Sequence, residues 1–345
     1  MVWTPLHAAI HRTIRARKLF KRQQRILVAV SGGQDSLCLI KLLLDLQPKW
    51  EWDLGIAHCD HLWRDDSSVN AEHVENLAQI WKVPFYLEVA DEPVDSEATA
   101  RNWRYRVLES VGLLHNYSCV VTGHTASDRA ETLLYNLMRG TGADGLQALT
   151  WQRILPNGVS LVRPLLEINR SQTAQFCQDF QLPIWEDSTN QNFKHARNRI
   201  RHELIPYLRE NFNPQVESSL AQTAELLQAE VEYLEQAATE LHEEAMREGK
   251  REREEKILTP QHPLSTSDSQ LPLKLNRRIL KNAPLALQRR VMRQVLLEIL
   301  PYAPNFEHIE KLTALIVAPQ KTQTDPFPGG AIALVEGDWI CLQSI

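Results

Sequence analysis

The chain has 345 residues, a formal net charge of −5 and 43% hydrophobic residues, which is typical of a globular protein with enough apolar material for two domains. No apolar run is long enough to cross a bilayer, and the basic N-terminal stretch lacks the apolar core of a signal peptide. The five cysteines are scattered and form no C-x-x-C pair, which argues against a zinc knuckle or an iron–sulfur site. These features predict a cytoplasmic protein with reduced thiols.

Basic residues are concentrated in two stretches. Residues 1–34 contain no Asp or Glu, and seven Lys or Arg residues lie between Arg12 and Arg25. A second block contains Arg197, Arg199 and Arg201. Two explanations stay open: these stretches bind the phosphates of a nucleic acid, or they are solvated helix faces.

Short apolar runs alternate with helical patterns over the first half of the chain. After an amphipathic first helix, the pattern predicts strands at 26–30, 53–58, 84–90, 118–122 and 158–163, and helices at 34–47, 67–82, 97–114 and 126–139. This alternation predicts an α/β fold with a doubly wound, mostly parallel sheet. Such sheets bind ligands at the carboxyl ends of their strands, so the residues there are the candidates for function.

The second half is mostly helical. Helices are predicted near 170–180 and 196–210, over a long Glu-rich stretch at 214–253, and at 284–300 and 305–317. Residues 257–275 are predicted to be irregular because they are rich in Pro, Ser and Thr, and the chain ends in a hairpin near 336–338. We therefore predict a catalytic domain at 1–214 and a smaller, mainly helical domain with a small β element at 215–345.

The stretch Ser31-Gly32-Gly33-Gln34-Asp35-Ser36 joins the first predicted strand to a helix. It lacks the Lys of a Walker A loop and the spacing of a Rossmann fingerprint. Glycines nevertheless let backbone N–H groups approach an anion, and the helix N-terminus adds positive charge. Asp35 would oppose a phosphate unless Mg²⁺ lay between them. The motif predicts a phosphate site, with a simple capped turn as the alternative.

This motif resembles the PP-loop of the ATP pyrophosphatases. Further segments resemble the tRNA(Ile)-lysidine synthetase family: "AHCDHLWRDDS", "EATARNWRYRVL", "VVTGHTASDRAETLLYNLMRGTGADGL", "RPLLEINR" and "WEDSTNQNFKHARNRIRHELIP". The resemblance covers nearly all of 20–345. It implies a cytoplasmic ligase that uses ATP and Mg²⁺ to adenylate C2 of the wobble cytidine in the isoleucine tRNA with a CAU anticodon. Free L-lysine then displaces AMP to form lysidine, and pyrophosphate is the other product. A membrane is not expected as a partner, and both a monomer and a homodimer stay open.

The residue pattern and the resemblance together indicate the site. Asp128 and Glu131 are three residues apart, so they share one face of a helix that begins at a strand end. They are expected to hold Mg²⁺ or the lysine ammonium, or to accept the proton of the amine, and the sequence does not divide these roles. The expected catalytic residues are Asp35, Asp128, Glu131 and Arg104. The expected ATP contacts are residues 31–36 (Ser31, Gly32, Gly33, Gln34, Asp35 and Ser36) with His58, His61, Gly123 and His124. The expected tRNA or phosphate contacts are Arg101, Arg139, Arg197, Arg199 and Arg201, and the expected metal ligands are Asp35 and Asp128.

Several of these residues have plainer explanations. His58 and His61 are expected to contact adenosine or to make structural hydrogen bonds. The glycine-rich stretch that starts at Arg139 is either a helix stop or a loop that closes over the reacting base. Rival functions for the whole chain are a PP-loop tRNA thiolase, a nucleotide-binding sensor without catalysis, and ligation on a small molecule. A thiolase generally needs paired cysteines, which this sequence lacks.

Overall fold

The computed structural model describes residues 2–63, 66–92, 97–185, 193, 196–257 and 273–343. These residues form two compact units, Met1–Gln228 and Ala229–Ile345. The domain boundary predicted after residue 214 falls within the first unit and stays a prediction. Three parts of the sequence analysis lie outside the described residues. They are Arg64 of the segment "AHCDHLWRDDS", most of residues 186–195 in the segment "WEDSTNQNFKHARNRIRHELIP", and most of the stretch predicted to be irregular.

A six-stranded sheet organises the first unit. Its strands are β1 (Arg25–Ala29), β2 (Asp53–Asp60), β3 (Phe85–Val89), β4 (Cys119–Val121), β5 (Gln152–Ile154) and β6 (Ser160–Val162). Their order is β3-β2-β1-β4-β6-β5, and every pairing is parallel except that of β5 with β6. The predicted doubly wound, mostly parallel sheet is therefore confirmed.

The strands and helices of this unit follow the apolar pattern of the sequence. Its helices are α1 (Pro5–Ala16), α2 (Gln34–Trp50), α3 (Ser67–Trp81), α4 (Glu97–Leu114), α5 (Ala126–Met138), α6 (Gly142–Leu146), α7 (Arg170–Asp179), α8 (Ala196–Arg199) and α9 (Ile205–Asn211). A π-helical turn, Ile200–Leu204, joins α8 to α9. The middle of β1 and one face of α2 are fully buried together, for example Ile26, Val28 and Leu39. Burial of this kind contributes about 1.5–3 kcal/mol for each large apolar side chain.

The second unit holds a small antiparallel sheet of order β7-β9-β8. It consists of β7 (Leu273–Asn276), β8 (Ile332–Glu336) and β9 (Trp339–Gln343), with the helices α11 (Arg277–Asn282), α12 (Leu285–Ile299) and α13 (Phe306–Ala314). The predicted terminal hairpin is confirmed, since β8 pairs with β9. The prediction of irregular structure is wrong at 273–275. Leu275 of β7 is buried and pairs with Ile340, a partner far along the chain that local composition cannot reveal.

The long helix α10 (Val216–Ile257) begins in the first unit. Its residue Glu225 bonds the helix to other elements of that unit. Glu225 accepts hydrogen bonds from Arg129 at 2.6 Å, from Arg17 at 2.7 Å and from the indole of Trp151 at 2.7 Å. The side chain of Arg129 is only 2% exposed, and it also donates to Gln228. A buried guanidinium of this kind needs its acid, because an uncompensated buried charge is strongly destabilising.

We expect Glu225→Ala to lower the free energy of unfolding of the first unit by about 3 kcal/mol, because it leaves Arg129 and the Trp151 indole without their acid. The exposed Glu51, which pairs with Arg22, is the matched control, and Glu51→Ala should cost at most about 1 kcal/mol. Urea unfolding followed by tryptophan fluorescence measures both, since eight of the nine tryptophans precede Gln228. Equal urea midpoints for the two variants would contradict this stabilising role of Glu225.

Candidate active site

The carboxyl ends of β1 and β4 meet at the point where the sheet reverses its winding. β1 pairs with β2 on one side and with β4 on the other, and the chain leaves both β1 and β4 at the same edge. Gly123 follows β4, and a Cβ atom on it would lie 2.9 Å from the backbone carbonyl of Asp35. This close approach packs the end of β4 against the start of α2. Open α/β sheets bind their ligands in this crevice.

Residues 31–36, the phosphate loop, form a tight turn that leads into α2. Gly32 has a φ of +84°, a backbone conformation that favours glycine. The Ser36 hydroxyl donates to the Gly33 carbonyl at 2.8 Å and accepts the Ser31 N–H at 3.1 Å, while Asn70 donates to the Ser31 carbonyl at 3.0 Å. Gly33 precedes α2 and provides no side-chain cap. The first N–H groups of this 17-residue helix therefore suit an anion.

Asp128 and Glu131, the acid pair, lie on the first turns of α5 as predicted. Thr125 and Asp128 cap the helix reciprocally: Asp128 Oδ2 accepts both the backbone N–H and the hydroxyl of Thr125 at 2.8 Å. This cap fixes the Asp128 carboxylate. Its side chain is 9% exposed and that of Glu131 is 1% exposed. Two carboxylates at such burial require cationic partners.

Three arginines, the arginine cluster, supply those partners. Arg170 at the start of α7 donates to Asp128 and Glu131 at 2.9 Å each and to Asp35 of the phosphate loop at 3.2 Å. Arg197 donates to Glu131 at 2.8 Å and to Asp128 at 2.9 Å. Arg201 donates to Glu131 through Nε at 2.8 Å and Nη2 at 3.2 Å. The structure therefore brings together five predicted residues, which are Asp35, Asp128, Glu131, Arg197 and Arg201.

Arg170 is the member of this cluster that the sequence analysis did not single out. It lies at the end of the quoted segment "RPLLEINR", which was the available signal. Its backbone is held from both sides, because its N–H donates to Ser127 at 3.1 Å and its carbonyl accepts the Gln34 amide at 2.7 Å. Thr173, one turn later in α7, donates its hydroxyl to Asp35. Helix α7 thus links the phosphate loop to the acid pair.

Arg101 and Arg104 belong to a second basic group around Tyr105. The guanidinium carbons of Arg153, Arg101 and Arg104 lie 4.7, 5.6 and 5.9 Å from the centre of the Tyr105 ring. Burial raises the pKa of Tyr105, but the nearby cations Arg163, Arg101 and Arg104 lower it by more, to about 8. This side of the site therefore favours anionic groups.

His124 experiences the charges of both basic groups. Its pKa is well below the ordinary value because burial disfavours the charged ring and Asp128 does not offset this; Arg163, Arg104 and Arg197 lower the pKa further. Its Nδ1 lies 2.8 Å from the Thr122 hydroxyl. A neutral imidazole here can accept or donate a hydrogen bond without adding charge.

The other predicted contacts make interactions with neighbouring residues or are exposed. His58 is 3% exposed, and its Nδ1 lies 2.8 Å from the Val30 carbonyl. This contact is a structural hydrogen bond, one of the two roles expected for His58. His61 stacks on Trp63 with ring centres 5.1 Å apart. Arg139 and Arg199 are exposed, and Arg139 lies 5.3 Å over the Tyr135 ring. The stretch after Arg139 contains the short helix α6. Ligand contacts by these residues stay predictions.

Comparison with known proteins identifies the family. A family model described as a PP-loop domain matches residues 6–208. A tRNA(Ile)-lysidine synthase of a Nostoc species is 71% identical over 344 residues, which cover 100% of this chain and 98% of that protein. The chain belongs to the tRNA(Ile)-lysidine synthase family. A Synechocystis member is 48% identical over 99% of this chain and 98% of its own length.

One solved structure shows that the fold of this lysidine synthase family member also serves other chemistry. The U34-tRNA thiolase of Methanococcus maripaludis superposes with a TM-score of 0.55 at 16% identity, over 65% of this chain and 78% of the thiolase. At this identity the similarity establishes a shared fold alone. In the described part of this family member, no helix is long and apolar enough to span a membrane.

The pKa values of the acids in this lysidine synthase family member are set by burial and by the arginines. Burial raises the pKa of Asp128, but Arg170 and Arg197 lower it by more, so the net direction is down. The net direction is also down for Glu131, where burial is outweighed by Arg201 with Arg197 and Arg170. Burial raises the pKa of Asp35, and Arg170 only partly offsets it. The acid pair is therefore ionised at neutral pH.

We expect the free energy of unfolding to fall as the pH drops below about 4.5, the ordinary pKa of a Glu side chain. The pKa values of Asp128 and Glu131 are lower in the folded state, so protons bind the unfolded chain first and favour it. The raised pKa of Asp35 acts in the opposite direction and offsets part of this loss. Urea unfolding at a series of pH values gives the slope of the free energy of unfolding against pH. This slope should be smaller for Glu131→Gln. A slope identical to that of the wild type would contradict a lowered pKa of Glu131 in the folded state.

The oxygens of both expected metal ligands, Asp35 and Asp128, accept hydrogen bonds in the structure. Mg²⁺ binds through one or two carboxylates together with phosphate oxygens and water. Asp35 belongs to the phosphate loop, and its Oδ2 accepts from Arg170 and its Oδ1 from Thr173. The oxygens of Asp128 accept hydrogen bonds from Thr125, Arg170 and Arg197. No group of three His, Cys, Asp or Glu residues suited to a metal occurs among the residues that the structure describes. Asp35 and Asp128 as metal ligands stay predictions.

Proposed function

We propose that this chain is an ATP-dependent ligase that forms lysidine in the isoleucine tRNA with a CAU anticodon. It adenylates C2 of the wobble cytidine and releases pyrophosphate, and the ε-amine of free L-lysine then displaces AMP. The observation that carries this proposal is the ionised acid pair, joined by Arg170 to the phosphate loop, in a chain 71% identical along its whole length to a tRNA(Ile)-lysidine synthase. We also propose a cytoplasmic location, where tRNA and lysine are available.

The phosphate loop is suited to hold the β and γ phosphates. The N–H groups at the start of α2 donate to phosphate oxygens, and the hydroxyl of Ser31 adds a donor. Mg²⁺ bound at Asp35 would neutralise charge on the phosphates and on the departing pyrophosphate. Arg104 and Arg101, in the basic group around Tyr105, are suited to stabilise charge that develops on the α phosphate. Ser31 at the start of the loop is exposed, which leaves the entry of the nucleotide open.

The acid pair is suited to bind the amine of lysine and to receive its proton. An ammonium has three donors and no acceptor, which matches two carboxylates held side by side. The amine attacks only after it has lost a proton, and an adjacent carboxylate can accept it. The cap on Asp128 holds one carboxylate in place during this transfer. A position for the amine next to the phosphate loop brings nucleophile and adenylate together, which lowers the entropic cost of the reaction.

The tRNA would be bound mainly through its phosphates and one splayed base. A wobble base in an anticodon loop costs little to unstack, so a single-stranded base can enter the crevice at the strand ends. The exposed arginines Arg139 and Arg199 are suited to contact the backbone, which positions the RNA. The second unit, with the basic residues of α12, is proposed to bind the tRNA body.

A PP-loop thiolase is the closest alternative, and the state of the cysteines disfavours it. Cys38, Cys119 and Cys177 are at most 1% exposed. A hydrogen bond to Cys177 and burial raise the pKa of Cys38, and burial raises the pKa of Cys119 to about 12. A sulfur carrier needs an accessible thiolate, which these thiols do not provide. A sensor without catalysis would have no need of the acid pair.

The products formed from ATP test the adenylation step. The full chain incubated with ATP, Mg²⁺, lysine and CAU-anticodon isoleucine tRNA should form AMP and pyrophosphate in equal amounts, and only when the tRNA is present. Without lysine, pyrophosphate should be released but AMP should stay bonded to the tRNA. Formation of ADP and phosphate would contradict adenylation. No ATP cleavage at all would favour the sensor. AMP formation without tRNA would favour ligation on a small molecule.

A further inference from the structure

The acid pair has no room for an ammonium in the structure described here. Glu131 Oε1 accepts from Arg170 and Arg201, and its Oε2 accepts from Arg197 and Arg201. Asp128 Oδ1 accepts from Arg170 and Arg197, and its Oδ2 accepts twice from Thr125. Each of the four oxygens thus accepts two hydrogen bonds, which is the usual capacity of a carboxylate oxygen.

Charge leads to the same conclusion. Among the described residues of this cluster, Asp35, Asp128 and Glu131 carry three negative charges, and Arg170, Arg197 and Arg201 carry three positive charges. An added ammonium would give this half-buried group a net positive charge, which is costly to keep away from water. Removal of one guanidinium leaves one negative charge, which one ammonium neutralises. Exchange of one arginine for the amine would keep the charges of these groups balanced.

The contacts indicate which arginine leaves. Arg170 and Arg197 each bridge Asp128 and Glu131, so they hold the two acids as a unit. Among the acids that the structure describes, Arg201 donates two short hydrogen bonds to Glu131 and approaches Asp128 only to 3.8 Å. It lies on the π-helical turn between α8 and α9, and such turns are frequent at functional sites. The three arginine side chains are similarly exposed, at 27%, 26% and 22%, so the contacts rather than exposure distinguish Arg201.

We propose that Arg201 is a positioning residue that occupies the ammonium site until ATP binds, so that lysine binds after the nucleotide. This inference rests on the proposed function, because it takes lysine as the amine. The phosphate loop is one side chain away from the acid pair, since Arg170 contacts both. A triphosphate on that loop attracts guanidinium groups and binds them through paired hydrogen bonds. Transfer of Arg201 from Glu131 to phosphate frees one acceptor position on each Glu131 oxygen.

The test is the affinity of the full chain for radiolabelled lysine, measured by equilibrium dialysis with and without α,β-methylene ATP, an analogue that cannot be cleaved at the reacting bond. The analogue should tighten lysine binding at least tenfold, equivalent to about 1.4 kcal/mol of coupling. Lysine should tighten binding of the analogue by the same factor, because coupling between two sites is reciprocal. In Arg201→Ala, lysine should bind without nucleotide, and the coupling should fall below threefold. Arg201→Gln keeps a hydrogen-bonding side chain without the charge, and it should behave like Arg201→Ala.

Arg209→Ala is the matched control. Arg209 lies on α9 and pairs with Glu217, outside the arginine cluster, so its loss should leave the coupling at the wild-type value. Equal lysine affinity with and without the analogue in the wild type would overturn the exchange. Full coupling in Arg201→Ala would also overturn the exchange, because direct attraction between the triphosphate and the ammonium would then explain the coupling without Arg201. No lysine binding under either condition would overturn the proposed function as well, which separates the two failures.

Discussion

Glu131→Gln should lower the rate of lysidine formation at least about 100-fold, because it removes the carboxylate that binds the amine and can accept its proton. Asp128→Ala and Glu131→Ala should show losses of similar size. The folded state should persist in each case, because the three arginines are 22–27% exposed and stay in contact with water when one acid is lost. The measurement is kcat for lysine transfer to tRNA at saturating ATP, with circular dichroism to confirm the fold.

The exposed Glu167 is the matched control for this prediction. Glu167 pairs with Arg17 outside the site, and Glu167→Gln removes a carboxylate of the same length at that surface. It should leave kcat within about twofold of the wild type, since exposed pairs contribute little. Near-wild-type rates for both Glu131→Gln and Asp128→Ala would remove the acid pair from the mechanism.

Gly32→Ala should reduce kcat/KM for ATP at least tenfold, equivalent to about 1.4 kcal/mol. An added Cβ would lie 2.4 Å from Asn70 Oδ1 and 3.3 Å from the Cβ of Trp185, so Asn70 must move. The hydrogen bond from Asn70 to the Ser31 carbonyl, which holds the phosphate loop, would then be lost. The measurement is tRNA-dependent pyrophosphate release at a series of ATP concentrations.

Gly158→Ala is the control that separates the effect of backbone strain from the effect of disturbing the phosphate loop. Gly158 also has a positive φ, +97°, but a Cβ there meets no atom within 4 Å. Both variants should lose about 1–2 kcal/mol of stability, the cost of a left-handed backbone in a residue with a Cβ. Only Gly32→Ala should lower kcat/KM for ATP. Equal kinetic losses in the two variants would mean that strain, rather than the loop, is responsible.

The sequence predicted those parts of the fold that leave a local pattern. The apolar run at 26–30 and the glycine-rich turn after it correspond to β1 and the phosphate loop. The spacing of Asp128 and Glu131 predicted a shared helix face, and both side chains contact Arg170. The strand β5 was missed because its three residues are exposed and form no apolar run. Its presence depends on pairing with β6, which is a tertiary contact.

The arginine cluster was predicted only in part for the same physical reason. Arg197 and Arg201 belong to the second basic block of the sequence, and they meet at Glu131. Their expected partners were tRNA or phosphates, whereas in the structure they neutralise the acid pair. Arg170 lies 135 residues after Asp35 in the chain, so no local pattern indicates their contact. Charges that balance across the fold become visible only when α7 packs beside α2 and α5.

The most direct test of the central claim is the transfer of radiolabelled lysine to a defined tRNA. The full chain is incubated with ATP, Mg²⁺ and labelled lysine, together with an isoleucine tRNA transcript bearing a CAU anticodon. A matched transcript in which only the wobble cytidine is changed to uridine is the control. We predict ATP-dependent label in acid-precipitated RNA for the first transcript, matched by AMP and pyrophosphate, and none for the second. Pyrophosphate release without label, or equal label in both transcripts, would contradict lysine ligation at the wobble cytidine.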